Sequence, residues 1–399
     1  MDFKALLALM CQKKASDLFI TAGKPPCMKI DGLITEMSKT PLTETQALKI
    51  VQSIMSPHQL SEYESTRECQ FAISYPDLGR FRVSAYTQRD AAAMVLRRIE
   101  HEIPNVDDLN LPPILKDLIM EKRGLIIFVG ATGTGKSTSL AALIKHRNEN
   151  SKGHIITIED PIEFQHPHLG CIISQREVGI DTESYEVALK NTLRQAPDVI
   201  LIGEIRTRET MQNAITFAET GHLCLSTLHA NNANQAIERI LHFFSEEQHD
   251  QLLMDLSLNL KGIIAQQLIR RSDGKGRYPV IEIFLNTPLA KDLIRKGEIH
   301  RLKELMKDSR EQGMQTFDVA LYELYKQQKI SYEDALNSAD SRNEVRLMIK
   351  LGDENATYGT SGILLEDEDE MMDNKHKKQI FGTSLDLGIK PNKNPFDKK

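Results

Sequence analysis

No stretch of this sequence approaches the roughly 18 consecutive apolar residues that suggest a membrane span. Its five cysteines (Cys11, Cys27, Cys69, Cys171 and Cys224) are odd in number, widely spaced and without a CxxC pair. That pattern gives neither a zinc cluster nor a disulfide framework, and reads as incidental thiols in a reducing compartment. There is no excess of basic charge: the formal net charge is −6, so composition gives no pull toward nucleic acid. No internal repeat of fixed period is present. The start, MDFKALLALMCQKKASD, lacks the basic opening, long apolar core and cleavage site of a signal peptide. Its apolar residues Phe3, Leu6, Leu7 and Met10 recur at helical spacing and predict an amphipathic helix. These absences lead us to expect a soluble, cytoplasmic protein that reaches a membrane only through a partner.

What is present is ordinary globular material, with 40% hydrophobic and 27% charged residues in a chain of 399, long enough for two or three domains. Residues 1–102 alternate short strand-like runs with polar turns. Ser16–Ile20 and Met28–Ile30 read as strands, Gly32 closes a turn, and Arg80–Tyr86 pairs naturally with Ala93–Ile99. This predicts a small α+β domain. A proline-punctuated linker, 103–113, follows. From 114 to 352 the texture changes. The apolar runs Leu125–Val129, His154–Ile158, Val199–Ile202 and Leu223–Ser226 are separated by helical segments, the pattern of a parallel sheet covered by helices. Helical periodicity dominates from about 232 to 350. The remainder, 353–399, holds the acidic run Glu366–Glu370 and then a lysine-rich stretch, and reads as a disordered tail.

Gly130-Ala131-Thr132-Gly133-Thr134-Gly135-Lys136-Ser137 fits GxxxxGK[ST] completely, with a strand-like run before it and a helix-like Ser139–Leu143 after it, and Thr138 joins its residues as a cofactor-binding candidate. Glycines at 130, 133 and 135 let the backbone turn successive N–H groups toward a phosphate chain at a helix N-terminus. Lys136 is the residue to neutralise the β- and γ-phosphates, and the Ser137 hydroxyl the one to ligate Mg²⁺. No NKxD-type motif for guanine accompanies it.

Two acidic segments follow. Asp198-Val199-Ile200-Leu201-Ile202-Gly203-Glu204 has the form of a second P-loop-type strand, except that Gly203 stands where a metal-organising aspartate is common. Glu204 is therefore the acid at that strand end. In Glu159-Asp160-Pro161-Ile162-Glu163 several carboxylates leave one strand end together; Glu163 is the candidate general base, with Glu159 in support. Taken alone this stretch is a solvated turn, and it gains weight from the P-loop. His222 and His229 bracket the fourth apolar run, placed for sensing the terminal phosphate; a lone histidine would be read as structural.

Together these residues resemble one family, the hexameric secretion ATPases, in the type IV pilus retraction branch (the PilT/PilU family). Gly130–Ser137 matches its Walker A, Thr157–Phe164 is similar to its Asp box, and Asp198–Glu204 resembles its atypical Walker B, Gly203 included. Gly221–Ala230 looks like its His box, and Ala15–Leu18 with Gly79–Val83 resembles its first domain; the likeness runs from about residue 3 to 351. The resemblance implies an α/β fold, with a RecA-like P-loop ATPase core behind an N-terminal α+β PAS-like domain. It implies a homohexamer on the cytoplasmic side of the inner membrane that binds ATP and Mg²⁺.

The absent tetracysteine element argues for retraction. Asn286–Arg295 only partly resembles the AIRNLIRE segment associated with retraction. With Ala339–Arg346 and the acidic tail, it looks more like the accessory paralogue than the principal motor. The expected partners are further copies of the chain, a PilT-type retraction ATPase and an inner-membrane pilus platform protein, with no nucleic acid. Arg80, Arg82, Arg97 and Arg98 are candidates to reach a neighbour's nucleotide, Arg82 and Arg97 matching the family best. The alternatives are a weakly catalytic structural ring that supports the principal motor, or a P-loop small-molecule kinase.

Overall fold

The computed structural model describes residues 3–30, 32–99 and 102–354, without side chains for 353–354. The 353–399 tail thus lies, apart from its first two residues, outside the described residues. Met1–Ile349 form one compact unit that carries two sheets. Among the described residues no helix is long and apolar enough to cross a membrane.

The first sheet is antiparallel, with strands β1 (Asp17–Thr21), β2 (Cys27–Ile30), β3 (Leu33–Glu36), β4 (Glu68–Tyr75), β5 (Gly79–Gln88) and β6 (Ala91–Arg98). They run in the order β3-β2-β1-β6-β5-β4. Alternation drives it: in β5, Phe81, Val83 and Ala85 are buried while the residues between them are not. The expected partner segment is confirmed, since Val83 pairs with Leu96 and Arg82 with Arg97. The first helix, Phe3–Gln12, buries Leu6, Leu7 and Met10 against this layer, the face its spacing predicts.

The second sheet holds β7 (Gly124–Val129), β8 (Gly153–Glu159), β9 (Cys171–Glu177), β10 (Val199–Ile202), β11 (Leu223–Leu228), β12 (Leu260–Arg270) and β13 (Arg277–Leu285). Their order is β13-β12-β7-β11-β10-β8-β9. All pairings are parallel except β12 with β13. The continuous apolar runs have a direct cause. Every residue of β7 is buried, with Leu125, Ile127 and Val129 packing into one core layer and Ile126 and Phe128 into the other.

Helices dominate 232–350, as the periodicity predicts, but β12 and β13 interrupt them with an antiparallel hairpin that completes the sheet beside β7. Asp273-Gly274 in its connection is a strong local hairpin signal, yet the apolar residues on either side also satisfy a helical period. The segment 103–113 packs into one of the core layers of the second sheet. Ile103, Val106 and Leu111 are buried, and Lys145 Nζ donates to the Ile103 carbonyl (3.0 Å) and to Asn105 Oδ1 (2.8 Å).

The hairpin's place in the core is testable through Phe284, fully buried in β13. Phe284→Ala should cost about 3–5 kcal/mol, read as a lowered urea midpoint. An unchanged midpoint would mean that β13 is not a core strand.

Candidate active site

Parallel strands deliver their C-terminal ends to one edge. Val129 pairs with Leu228, and Ile202 pairs with both Ser226 and Ile158. The segments that leave β7, β8, β10 and β11 therefore emerge side by side. They are the P-loop, Glu159–Glu163, Gly203–Glu204 and His229, which sequence separates by up to a hundred residues.

The P-loop wraps before the helix Lys136–Asn150. Gly130 must lack a Cβ, since one there would fall 2.5 Å from the Gln266 carbonyl and 2.7 Å from Thr134 Oγ1. Gly135 sits at φ 86°, which a side chain would strain. Thr134 Oγ1 donates to the Ala131 carbonyl (2.9 Å), and Gln266 Nε2, reaching in from β12, donates to the Thr134 carbonyl (2.8 Å). Lys136 Nζ donates to the carbonyls of Gly130 (2.6 Å) and Ala131 (2.9 Å). Desolvation lowers the pKa of this ammonium, while the charges of Glu204 and Glu163 oppose the shift.

The acids are differentiated by their contacts. Ser137 Oγ, in the first turn of the helix, donates to Glu163 Oε1 at 2.9 Å. Glu204 is clamped: Arg206 Nε donates to its Oε2 at 2.7 Å, and His229 Nε2 lies 3.0 Å from its Oε1. A carboxylate only accepts, so His229 carries its proton on Nε2 in that contact. Glu159 accepts from Thr157 Oγ1 (2.6 Å) and Gln175 Nε2 (3.1 Å). Desolvation nevertheless pushes its pKa up to about 7.

A cleft of about 500 Å³ lies between these elements, lined by Thr132, Gly133, Gly135, Lys136, Ser137, Thr138, Glu159, Glu163, Glu204 and His229. The volume suits a nucleotide-sized ligand. Gly130 contributes through its carbonyl bond to Lys136, and Thr134 through the hydrogen bonds that hold the loop.

His222 and the candidate arginines stand elsewhere. His222 lies just before β11, at the opposite end of the sheet from the P-loop. Its carbonyl accepts from Gly124 N and its ring contacts Thr220. The two histidines are thus separated by the length of a strand, about 20 Å at 3.3 Å per residue. Arg82 donates to Gln70 Oε1 (2.9 Å) and its Nε lies 3.9 Å from Glu177 Oε1. Arg97 donates to Asp17 Oδ1 (2.9 Å). Neither arginine lines the cleft of its own chain.

The cleft also contains residues that the sequence did not single out, among them Tyr185, Arg206 and Arg277. Gln266, which braces the loop from β12, was not singled out either. Arg206, two residues beyond Glu204, could have been found by adjacency. Gln266 and Arg277 lie in the misread hairpin, and Tyr185 begins the helix Tyr185–Thr192 behind an ordinary Ser184 cap, so no local pattern marks them.

The raised pKa of Glu159 has a signed consequence. The folded state favours the protonated acid, so ionisation costs stability as pH rises from the group's ordinary value of 4.5 through about 7. Glu159→Gln keeps an oxygen for both hydrogen-bond donors and removes that cost. Its midpoint advantage over wild type in nucleotide-free buffer should grow between pH 5 and pH 8, toward a ceiling of about 3 kcal/mol. A pH-independent difference would show that the acid is not desolvated as described.

Comparison with known proteins agrees with this geometry. The family model described as "Type II/IV secretion system protein" matches residues 2–361. The type IV pilus ATPase PilU of Pseudomonas aeruginosa is 63% identical over 93% of this chain and 98% of its own length. The type IV pilus retraction ATPase PilT of the same organism is 38% identical over 85% of this chain and 98% of its own. Among solved structures, the pilus retraction motor PilT with bound ADP superposes with a TM-score of 0.81 at 38% identity, covering 87% of this chain and 99% of that one. The chain belongs to the Type II/IV secretion system protein family, within its PilT/PilU-type ATPases.

Proposed function

We propose that this chain hydrolyses ATP as a subunit of a homohexameric motor for type IV pilus retraction, accessory to a PilT-type ATPase. The observation that carries the reading is the convergence of Lys136, Glu163, Glu204 and His229 on one cleft at the strand ends. The accessory assignment rests on the relative named PilU, 63% identical over nearly its whole length.

In this reading the P-loop amides, at the N-terminus of the helix Lys136–Asn150, cradle the phosphates. Lys136 exchanges its two carbonyl acceptors for the β- and γ-phosphate oxygens. Glu163 accepts a proton from the attacking water as its oxygen bonds to the γ-phosphorus and the bond to the β-phosphate oxygen breaks, leaving ADP and phosphate. Glu204, oriented by Arg206 and His229, faces the reacting phosphate. His229 is positioned by that carboxylate to respond to the γ-phosphate. Ser137 fits Mg²⁺, since its hydroxyl heads the helix beside Glu163, and Glu159 and Glu204 supply further oxygens within the same cleft. When bound, the ion would offset phosphate charge there. In a ring, Arg82 and Arg97 act on a neighbour's nucleotide. The wider partners are the PilT-type ATPase and an inner-membrane platform protein, which hold the chain at the pilus base.

Lys136→Ala should abolish steady-state ATP hydrolysis. Glu163→Gln should bind fluorescent ATP within about threefold of wild type while its turnover falls at least about 100-fold, the scale of a lost general base. Normal turnover in either variant rejects the role given to that residue. For the accessory assignment, cells with this chain as their sole retraction ATPase should fail to retract pili under load; full retraction would make it a principal motor.

A further inference from the structure

The departure at Gly203 has a structural counterpart. A Cβ at this position would lie 2.8 Å from Tyr185 Oη, 3.1 Å from Glu159 Cα and 3.2 Å from the Ile158 carbonyl. The space that an aspartate would need at the end of β10 is thus occupied by a phenol hydroxyl that arrives from another element. Tyr185 opens the helix Tyr185–Thr192, where Ser184 Oγ accepts from Val187 N and fixes the first turn. From there its ring reaches the cleft that contains Lys136, Glu163 and Glu204.

We propose that Tyr185 is a further catalytic residue: its hydroxyl replaces the strand-end carboxylate missing at Gly203 and donates a hydrogen bond to the water beside the terminal phosphate. The inference rests on the ATPase reading and deepens it. The electrostatics suit a donor. Desolvation, then the charges of Asp160 and Glu159, raise the phenol's pKa, so the group stays protonated across any working pH. An aspartate there would have added a negative charge beside Glu159, Glu163 and Glu204. A neutral hydroxyl supplies polarity without that repulsion. The glycine and the tyrosine are therefore one device, the first making room for the second.

The test is Tyr185→Phe in the full-length chain, since it removes one oxygen and keeps the ring. We expect kcat to fall about 10-fold or more, the scale of a hydrogen bond to a charged or reacting group. The KM for ATP, the affinity for fluorescent ADP and the thermal midpoint should each stay near wild type. Gly203→Ala, which pushes a methyl into the hydroxyl's place, should lower kcat similarly, and the double variant should lose little more than either single one. An unchanged kcat in Tyr185→Phe overturns the proposal, as does a loss accompanied by equal losses of nucleotide affinity and midpoint, which marks a packing role. A wild-type chain without ATPase activity would instead remove the ATPase reading itself.

Discussion

The site is organised around the Lys136 ammonium. Its hydrogens go to the P-loop carbonyls of Gly130 and Ala131, and desolvation on one side and the charges of Glu204 and Glu163 on the other pull its proton affinity in opposite directions. A triphosphate brings several negative charges into the same space, so the cradle must supply positive potential while the acids stay close enough to act on water. The protein separates the two demands. Backbone dipoles and Lys136 occupy the P-loop side, while Glu163, Glu204 and Glu159 occupy the ends of neighbouring strands, each with its own hydrogen-bond partners. The parallel sheet makes this separation possible, since its strands end together while their sequence positions remain far apart.

The acids behave differently because their surroundings differ. Glu204 is bound by a guanidinium and an imidazole, which hold its carboxylate in place. Glu163 has only the Ser137 hydroxyl among the described contacts, a partner that can yield to a ligand. Glu159 is desolvated enough to titrate near neutrality. One residue type is thus placed in three different surroundings by its neighbours alone.

Legibility in the sequence followed the range of the interactions. The P-loop is local: its glycines, Lys136 and Ser137 lie within eight residues and carry their own conformational logic. The four central strands were readable because burial on both faces leaves uninterrupted apolar runs. His222 and His229 were readable as bracketing a strand, but residues that bracket a strand sit at its opposite ends, so only His229 lies beside the P-loop in its own chain. Arg82 and Arg97 were legible as basic positions on paired strands, but not as partners of Gln70 and Asp17. Gln266 was beyond reach, since it meets Thr134 across 132 residues through a hairpin whose apolar spacing also fits a helix. Tyr185 was similarly hidden, although Gly203 itself was visible as an anomaly. The missing side chain was in the sequence; what fills its place was only in the fold.

The most direct measurement is a structure of the full-length chain with a non-hydrolysable ATP analogue and Mg²⁺. The γ-phosphate should lie within hydrogen-bond distance of Lys136 Nζ, with the carboxylates of Glu163 and Glu204 both facing it. Triphosphate bound away from the 130–137 loop, or those two carboxylates turned out of the cleft, would contradict the assignment of this site.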